Sequence, residues 1–234
     1  MIDVHSHILP GIDDGAKDIE MTQKLTEIYL DQDIDTIITT PHYYPAEMSY
    51  DEFCSNRQAA LDSIKHIESI DFIKGSETLI SNVLFNRYSL SELCIGNSNY
   101  LLIELPYSSH WDNTLYSNVE QIIEKFDVIP IIAHIERYQP IQNKYRLIQK
   151  FIDMDCLIQM NTSSIVNAST RRFALKLLKK GYINFIGTDT HNTSTRLPNY
   201  SEAVEIIKNK LSEDVWETLD QNAQILVKAA KKKF

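Results

Sequence analysis

Short apolar, β-branched runs alternate along this chain with longer stretches whose apolar positions recur at helical spacing. Residues 1–4, Met-Ile-Asp-Val, predict a short strand, and the turn-rich stretch 9–15, Leu-Pro-Gly-Ile-Asp-Asp-Gly, predicts a loop after it. A surface helix is expected over 18–31, where Ile19, Leu25, Ile28 and Tyr29 stand among helix formers. Residues 34–40 read as a buried strand that runs into Pro41-His42. The alternation continues with helix 50–69, strand 72–77, short helix 81–88, strand 99–104, helix 112–125 and strand 128–134. It closes with helix 145–154, strand 156–161, helix 170–180 stopped by Gly181, strand 182–189, and two or three helices over 201–232.

Strands this uniformly apolar belong to a parallel sheet covered on both faces, either open or closed into a barrel. No linker or repeat divides the chain, so residues 1–234 are expected to form one α/β domain. Such folds bind their ligands at the C-terminal ends of the strands. Those ends carry His5 and His7, His42, Glu77, Glu104, His134, and then Asp189 with His191, so six of the seven expected strands finish in a metal-competent side chain. His5 and His7, two residues apart on an extended strand, face the same side.

Composition narrows the picture. At 234 residues and 43% hydrophobic the chain can bury a large core, which excludes a disordered protein. No apolar run approaches the roughly 20 residues of a membrane span, and the start lacks a signal pattern. The protein is therefore expected to be cytoplasmic and not an integral membrane protein. Three scattered cysteines, Cys54, Cys94 and Cys156, fit a reducing compartment. A net charge of -9 argues against nucleic acid as a partner, and the basic tail 228–234 is expected to be a solvated end.

Mixed imidazole and carboxylate ligands suit Mn²⁺, Fe²⁺ or Zn²⁺, whereas an all-oxygen set would suit Mg²⁺ or Ca²⁺. With Asp14 of the first loop, or its neighbour Asp13 in its place, the chain offers nine candidates. One ion takes about four protein ligands, so two or three ions are implied. A site of that kind stabilises the attacking and leaving oxygens of an in-line displacement at phosphorus. Arg137 and Arg196 follow ligand positions closely, and a guanidinium fork matches phosphate geometry.

The motifs Asp3-x-His5-x-His7, Asp13-Asp14-Gly15, Thr40-Pro41-His42, Gly75-Ser76-Glu77, Ile103-Glu104, Ala133-His134-Ile135-Glu136-Arg137 and Asp189-Thr190-His191-Asn192 resemble the polymerase-and-histidinol-phosphatase (PHP) superfamily. Within it they resemble the manganese-dependent protein-tyrosine phosphatases of bacterial capsule and exopolysaccharide synthesis, from residue 1 to about 226. The resemblance implies a distorted seven-stranded, TIM-like (β/α) barrel. It implies one ion at His5, His7, Glu77 and Asp189, and a second, bridged by Glu77, at Glu104 and His134. A third would lie at Asp14, His42 and His191, with Arg137 and Arg196 binding phosphate. Mn²⁺ is the implied metal, with Fe or Zn as alternatives. The implied reaction is direct attack of a metal-bound hydroxide on phosphotyrosine, in the tail of a tyrosine kinase of polysaccharide assembly.

Other readings stay in view. A small-molecule phosphatase of the histidinol-phosphate type shares the fold, although the Asp13-Asp14-Gly15 loop and Glu104 favour the tyrosine branch. An amidohydrolase would want a bridging Lys at a strand end, and a degenerate metal-loaded binding module would break the ligand set. A cysteine-dependent phosphatase needs Arg six residues after its Cys, where this chain has Ala60, Tyr100 and Thr162. Asp3 is expected to orient a ligand histidine or simply to open its strand, and Glu136 to pair with Arg137. His66 and His110 are expected outside the site. Tyr43, Tyr44, Tyr107 and Trp111 either line an aryl pocket or pack in the core or at the rim.

Overall fold

The computed structural model describes residues 1–232. Its strands are β1 (Ile2–Ser6), β2 (Thr36–Thr39), β3 (His42–Tyr43), β4 (Asp71–Lys74), β5 (Glu77–Leu79), β6 (Tyr100–Glu104), β7 (Ile129–Ile132), β8 (Leu157–Asn161) and β9 (Phe185–Gly187). The longer helices are α1 (Ile19–Leu30), α2 (Tyr50–Ser63) and α3 (Asn113–Phe126). Three single-turn helices follow, α4 (Gln139–Asn143), α5 (Ile148–Ile152) and α6 (Thr162–Val166), then α7 (Ala168–Lys179), α8 (Tyr200–Lys210) and α9 (Glu213–Ala230). Asp18, Ser49, Asp112, Asn167 and Ser212 cap five of these helices with their side chains.

All strand pairings are parallel, in sheets ordered β1-β2-β4 and β3-β5-β6-β7-β8-β9. The result is an α/β fold whose parallel strands curl in a barrel-like arrangement. β1 also lies against the end of β9, where His7 N donates to Thr190 O at 2.9 Å and Asp189 N to His5 O at 2.8 Å.

The expected strands 34–40 and 72–77 are each broken. Pro41 has no N–H to continue the first. The second is interrupted at Gly75-Ser76, where Gly75 O instead accepts from Arg57 at 2.8 Å. The described residues therefore carry nine short strands rather than seven. Helix 50–69 stops at Ser63, whose hydroxyl bonds back to Ala60 O at 2.7 Å and closes the last turn. The stretch 81–88 forms a 3₁₀ turn over Asn82–Asn86, and 201–232 holds two helices. The single turns α4 and α6 had no periodic signal to announce them. The basic stretch 228–234, expected as a solvated end, falls partly on α9, and residues 233–234 lie outside the described residues.

Consecutive strand residues enter different apolar clusters. Ile37, Ile103 and Ile132 pack with Leu25, Tyr29, Phe53 and Val119 of the helices. Their neighbours Ile38, Leu102 and Ile131 join Ile2, Val4, Ile73 and Phe185, together with Leu226 and Ala230 of α9. Side chains alternate across a strand, so both faces of the sheet are buried, as the sequence pattern requires. No helix among the described residues is long and apolar enough to cross a membrane.

One buried polar knot ties α1 to the sheet. The Tyr29 hydroxyl lies 2.7 Å from Asp3 Oδ2, 2.8 Å from Ser6 Oγ and 2.7 Å from Thr188 Oγ1. Asp3 Oδ1 accepts from Thr188 N at 2.9 Å and His5 N at 3.2 Å. Asp3 thus latches β1 to the end of β9 and touches no imidazole ring. Tyr29→Phe removes one hydrogen bond from this buried carboxylate and should cost about 1–3 kcal/mol. The check is a lowered urea midpoint at an unchanged denaturant slope.

Candidate metal centre

Each strand-end residue reaches the centre by a local device. His5 lies on β1 where the register with β2 shifts, between Asp3 and Ser6. Two glycines permit the close approach of the first loop and the last strand. A Cβ on Gly187 would stand 2.6 Å from the Cβ of His5, and one on Gly15 would stand 2.1 Å from the carbonyl oxygen of His7. His42 opens β3 and pairs in register with Glu77, the first residue of β5. His134 and Asp189 sit just past β7 and β9 with φ of 31° and 54°. That left-handed backbone costs a residue with a side chain about 1–2 kcal/mol.

Glu77 is fully buried at the middle of the group. Its Oε2 lies 3.2 Å from His5 Nε2, His7 Nε2 and His42 Nδ1, and its Oε1 lies 2.6 Å from His134 Nε2. Asp189 Oδ1 is 3.6 Å from His5 Nε2 and 3.4 Å from His7 Nε2. Asp14 Oδ1 is 3.5 Å from His42 Nε2 and 3.2 Å from His191 Nε2. His134 Nε2 is also 3.7 Å from Glu104 Oε1. All nine ligand candidates are thus brought together.

Ligand atoms lie within 4.8 Å of one another in three groups: His5, His7, Glu77 and Asp189; His7, Asp14, His42 and His191; and His42, Glu77 and Glu104. The first equals the set implied by the resemblance. The other two differ: His7 also joins Asp14, His42 and His191, and His42 stands with Glu77 and Glu104 where the resemblance implies His134, which is in none of the three groups although it lies 2.6 Å from Glu77 and 3.7 Å from Glu104. Each of His7, His42 and Glu77 belongs to two groups, which chains the three into one centre.

The electrostatics follow from crowding. Burial pushes the Glu77 carboxyl up, but His5 and His134 hold it well below the usual carboxylate range. Asp189 is likewise held low against its burial, by His5 and His7. Glu104 is pushed up to about 7 by burial and by the neighbouring charge of Glu77. Burial and the charge on His7 lower His191 to about 4 and also lower His42. The buried nitrogens His42 Nδ1 and His191 Nε2 have no hydrogen-bond partner although carboxylate oxygens stand 3.2 Å away. Lone pairs that converge on carboxylates without a shared proton suit divalent cations, and the nitrogen–oxygen donor set fits Mn²⁺, Fe²⁺ or Zn²⁺.

Arg137 and Arg196 converge from two loops on one oxygen, Asp189 Oδ2, at 3.0 and 2.7 Å. Asn192 Oδ1 accepts from the backbone N–H groups of Ser194, Thr195 and Arg196, and so folds the second loop back over the site.

The choice between Asp13 and Asp14 separates into two roles. Asp13 Oδ2 is 2.7 Å from His7 Nδ1 and accepts from His42 N at 3.0 Å, leaving His7 Nε2 facing the centre. Asp14 is the one that faces His42 and His191. Sequence reasoning missed Gln159 and Asn161. Gln159 Oε1 stands 3.2 Å from His5 Nδ1 and accepts from His134 N at 2.6 Å, while Asn161 Nδ2 donates to Asp189 Oδ2 at 2.7 Å. Their signal was two amides, two residues apart, on the one apolar strand without a metal-competent end. Glu136 accepts from Asn161 N at 3.2 Å and makes no ion pair with Arg137, and burial pushes its carboxyl up to about 8. His66 and His110 are exposed and outside the centre. Tyr43 is core, packed on Phe53, and Trp111 packs on Tyr138 and Phe151.

The family profile described as capsular polysaccharide synthesis, CpsB/CapC, matches residues 1–228. This chain belongs to the CpsB/CapC family. Tyrosine-protein phosphatase CpsB of Streptococcus agalactiae is 28% identical over 97% of this chain and 98% of its own length. Tyrosine-protein phosphatase YwqE of Bacillus subtilis is 28% identical over 97% of this chain and 92% of its own. A crystal structure from the pair YwqE of Bacillus subtilis and CpsB of Streptococcus pneumoniae, metal-dependent tyrosine phosphatases, matches at a TM-score of 0.86 and 24% identity, over 100% of this chain and 96% of that one. Histidinol phosphate phosphatase of Lactococcus lactis, solved with zinc, histidinol and phosphate, shares the fold at a TM-score of 0.51 and 12% identity, over 100% of this chain and 95% of that one. The family resembled by the strand-end motifs is thus the one whose profile matches residues 1–228.

The Asp13–His7 pair yields a pH prediction for the metal-stripped protein. Burial raises Asp13, but His7 outweighs it and holds the carboxyl at about 2, against 3.8 unperturbed. A depressed folded-state value contributes stability above the unfolded value and loses it as the pH falls through the folded one. The contribution is about 2 kcal/mol, present above about pH 4 and gone near pH 2. Asp13→Asn should therefore be less stable than the parent by that amount at pH 5, with the gap closing at pH 2, in urea titrations at both values.

Proposed function

We propose that this chain is a metal-dependent protein-tyrosine phosphatase that acts on the phosphotyrosine of a kinase of capsule or exopolysaccharide assembly. What carries the reading is the chaining of three ligand groups through His7, His42 and Glu77, beside two arginines, in a CpsB/CapC chain. Relatives named tyrosine-protein phosphatases over nearly the whole length support it. The reading takes residues 1–234 as one cytoplasmic domain. It counts β2 with β3 and β4 with β5 as single interrupted strands, since the same neighbours pair across both breaks. That makes seven rows, and the Ser6–Thr190 bridge brings the last against the first, as a distorted barrel requires.

In this reading His5, His7, Glu77 and Asp189 hold one ion, Glu77, Glu104 and His134 a second, and Asp14, His42 and His191 a third. Mn²⁺ is the proposed metal, in two or three copies, with Fe or Zn sharing the same ligand preference. Ions bound there would acidify water and neutralise charge on the phosphoryl oxygens. Glu77, already anionic in the folded chain, needs no proton removed to serve two groups at once. Arg137 and Arg196 meet on Asp189 and keep further N–H groups of each fork free for phosphate oxygens. Tyrosinate, with a parent pKa of about 10, departs with little proton assistance, which suits a site whose imidazoles His42 and His191 are held neutral.

Chelator-stripped protein should hydrolyse a phosphotyrosine peptide only after a transition metal is restored, with Mn²⁺ above Mg²⁺. Faster hydrolysis of histidinol phosphate than of the peptide would move the assignment to a small-molecule phosphatase. Glu77→Gln should lose about a hundredfold to a thousandfold in kcat with the circular dichroism spectrum retained, a loss of the size seen when charge-stabilising groups are removed. Near-parent turnover would dismiss the bridging role. Arg137→Ala should raise KM and the inhibition constant of inorganic phosphate by about tenfold, read from steady-state kinetics.

A further inference from the structure

Resting on the phosphatase reading, we infer that the aromatic ring of the substrate is received by a pocket between the first loop and the turn after β3, walled by Ile12, Tyr44 and Met48. A phosphate ester held at the centre must direct its organic group out through one wall. On one side stands Tyr107, stacked over His134 with ring centroids 6.0 Å apart and already covered by the Arg137 guanidinium at 5.5 Å. Tyr107 is 56% exposed, and its ring also rests on Tyr138 with centroids 5.3 Å apart, so its faces are already engaged.

On the other side a pocket of about 490 Å³ begins at Asp13, Asp14 and His42 and is otherwise lined by Ile12, Tyr44, Met48 and Glu47. That volume lies within the roughly 300–1,000 Å³ of small-ligand sites, which join apolar walls to a few placed polar groups. Here the polar end is the centre itself, since Asp14 and His42 belong to the ligand groups. Tyr44 stacks on His42 at 5.0 Å and 19°, so the wall of the pocket is continuous with an imidazole of the centre. The loop that carries it is a fixed turn, with the N–H groups of Glu47 and Met48 both donating to Tyr44 O at 3.0 and 3.2 Å. A larger concavity, of about 850 Å³, is lined by residues of the first loop, α1 and α2 and includes none of the nine candidates.

The pocket selects by reach. A phosphotyrosine spans it with a flat apolar ring while its phosphate meets the centre and its backbone stays at the mouth. A phosphoserine would have to bring its backbone down to the ligands and leave the apolar walls unfilled. Selectivity for aryl esters then has two sources, leaving-group chemistry at the centre and ring burial in the pocket, and only the second depends on Ile12 and Met48.

Two non-hydrolysable probes separate them on Mn²⁺-loaded protein by titration calorimetry, phenylphosphonate and methylphosphonate. The parent should bind phenylphosphonate at least about tenfold tighter, the worth of a largely buried apolar ring. The double variant Ile12→Ala with Met48→Ala should lose most of that advantage with methylphosphonate affinity unchanged, whereas Tyr107→Ala should keep it. Equal binding of the two probes by the parent, or loss of the advantage in Tyr107→Ala alone, overturns the pocket. If the parent binds neither probe and leaves phosphotyrosine peptide intact, the phosphatase reading itself has failed.

Discussion

A fully buried carboxylate surrounded by four imidazoles is the constraint that the rest of this structure serves. An isolated charge at the position of Glu77 would be expelled or neutralised, because burial of an uncompensated carboxylate costs several kcal/mol. It stays anionic because His5, His7, His42 and His134 approach its two oxygens from strands β1 and β3 and from the segments that follow β1 and β7. Each approach has a structural requirement of its own. The pairing of His42 with Glu77 demands that β3 and β5 keep register across the Pro41 and Gly75 breaks. The approach of His7 demands Gly15, and that of His5 demands Gly187.

Around this group the chain tolerates strain that a structure without function would shed. His134 and Asp189 hold left-handed backbone without being glycine. Gln159 fixes the ring of His5 and the backbone of His134 together, and Asn161 fixes Asp189, so one strand with no ligand of its own sets three that have them. The cost is carried by a sheet buried on both faces and by the Asp3–Tyr29–Thr188 knot behind it. Charge is unevenly tolerated as well. Glu77 and Asp189 are held low, while Glu104, buried and in the same group as the Glu77 charge, is pushed up. A set poised in this way is relieved when positive ions enter it.

The two ends of the proposed substrate meet different physics. Arg137 and Arg196 come from loops that turn back on Asp189, and offer planar, charged recognition to a phosphoryl group. Ile12, Tyr44 and Met48 offer only area and shape. The tight turn after β3 belongs to the stretch least marked by motif, and it supplies the pocket wall. Ligand positions are constrained by coordination chemistry, whereas a wall tolerates any residue of suitable bulk.

Much of the site was legible before folding was considered. Metal ligation restricts the side chain to a few types, and a parallel α/β fold restricts functional groups to the strand ends. His5, His7, His42, Glu77, Glu104, His134, Asp189 and His191 could therefore be found by reading where apolar runs stop. The family could be found in the same residues. Tertiary structure alone decided how the nine candidates group, because sharing of His7, His42 and Glu77 depends on distances between strands far apart in sequence. It alone assigned Asp13 to orienting His7, a role that the resemblance, which placed Asp14 with His42 and His191, did not supply. It alone revealed Gln159 and Asn161 as supports, whose amides mean nothing until a neighbouring strand places a ring or a carboxylate within hydrogen-bond reach. Local sequence dictates which atoms stand at a strand end, and only the closed arrangement of strands dictates which of those atoms meet.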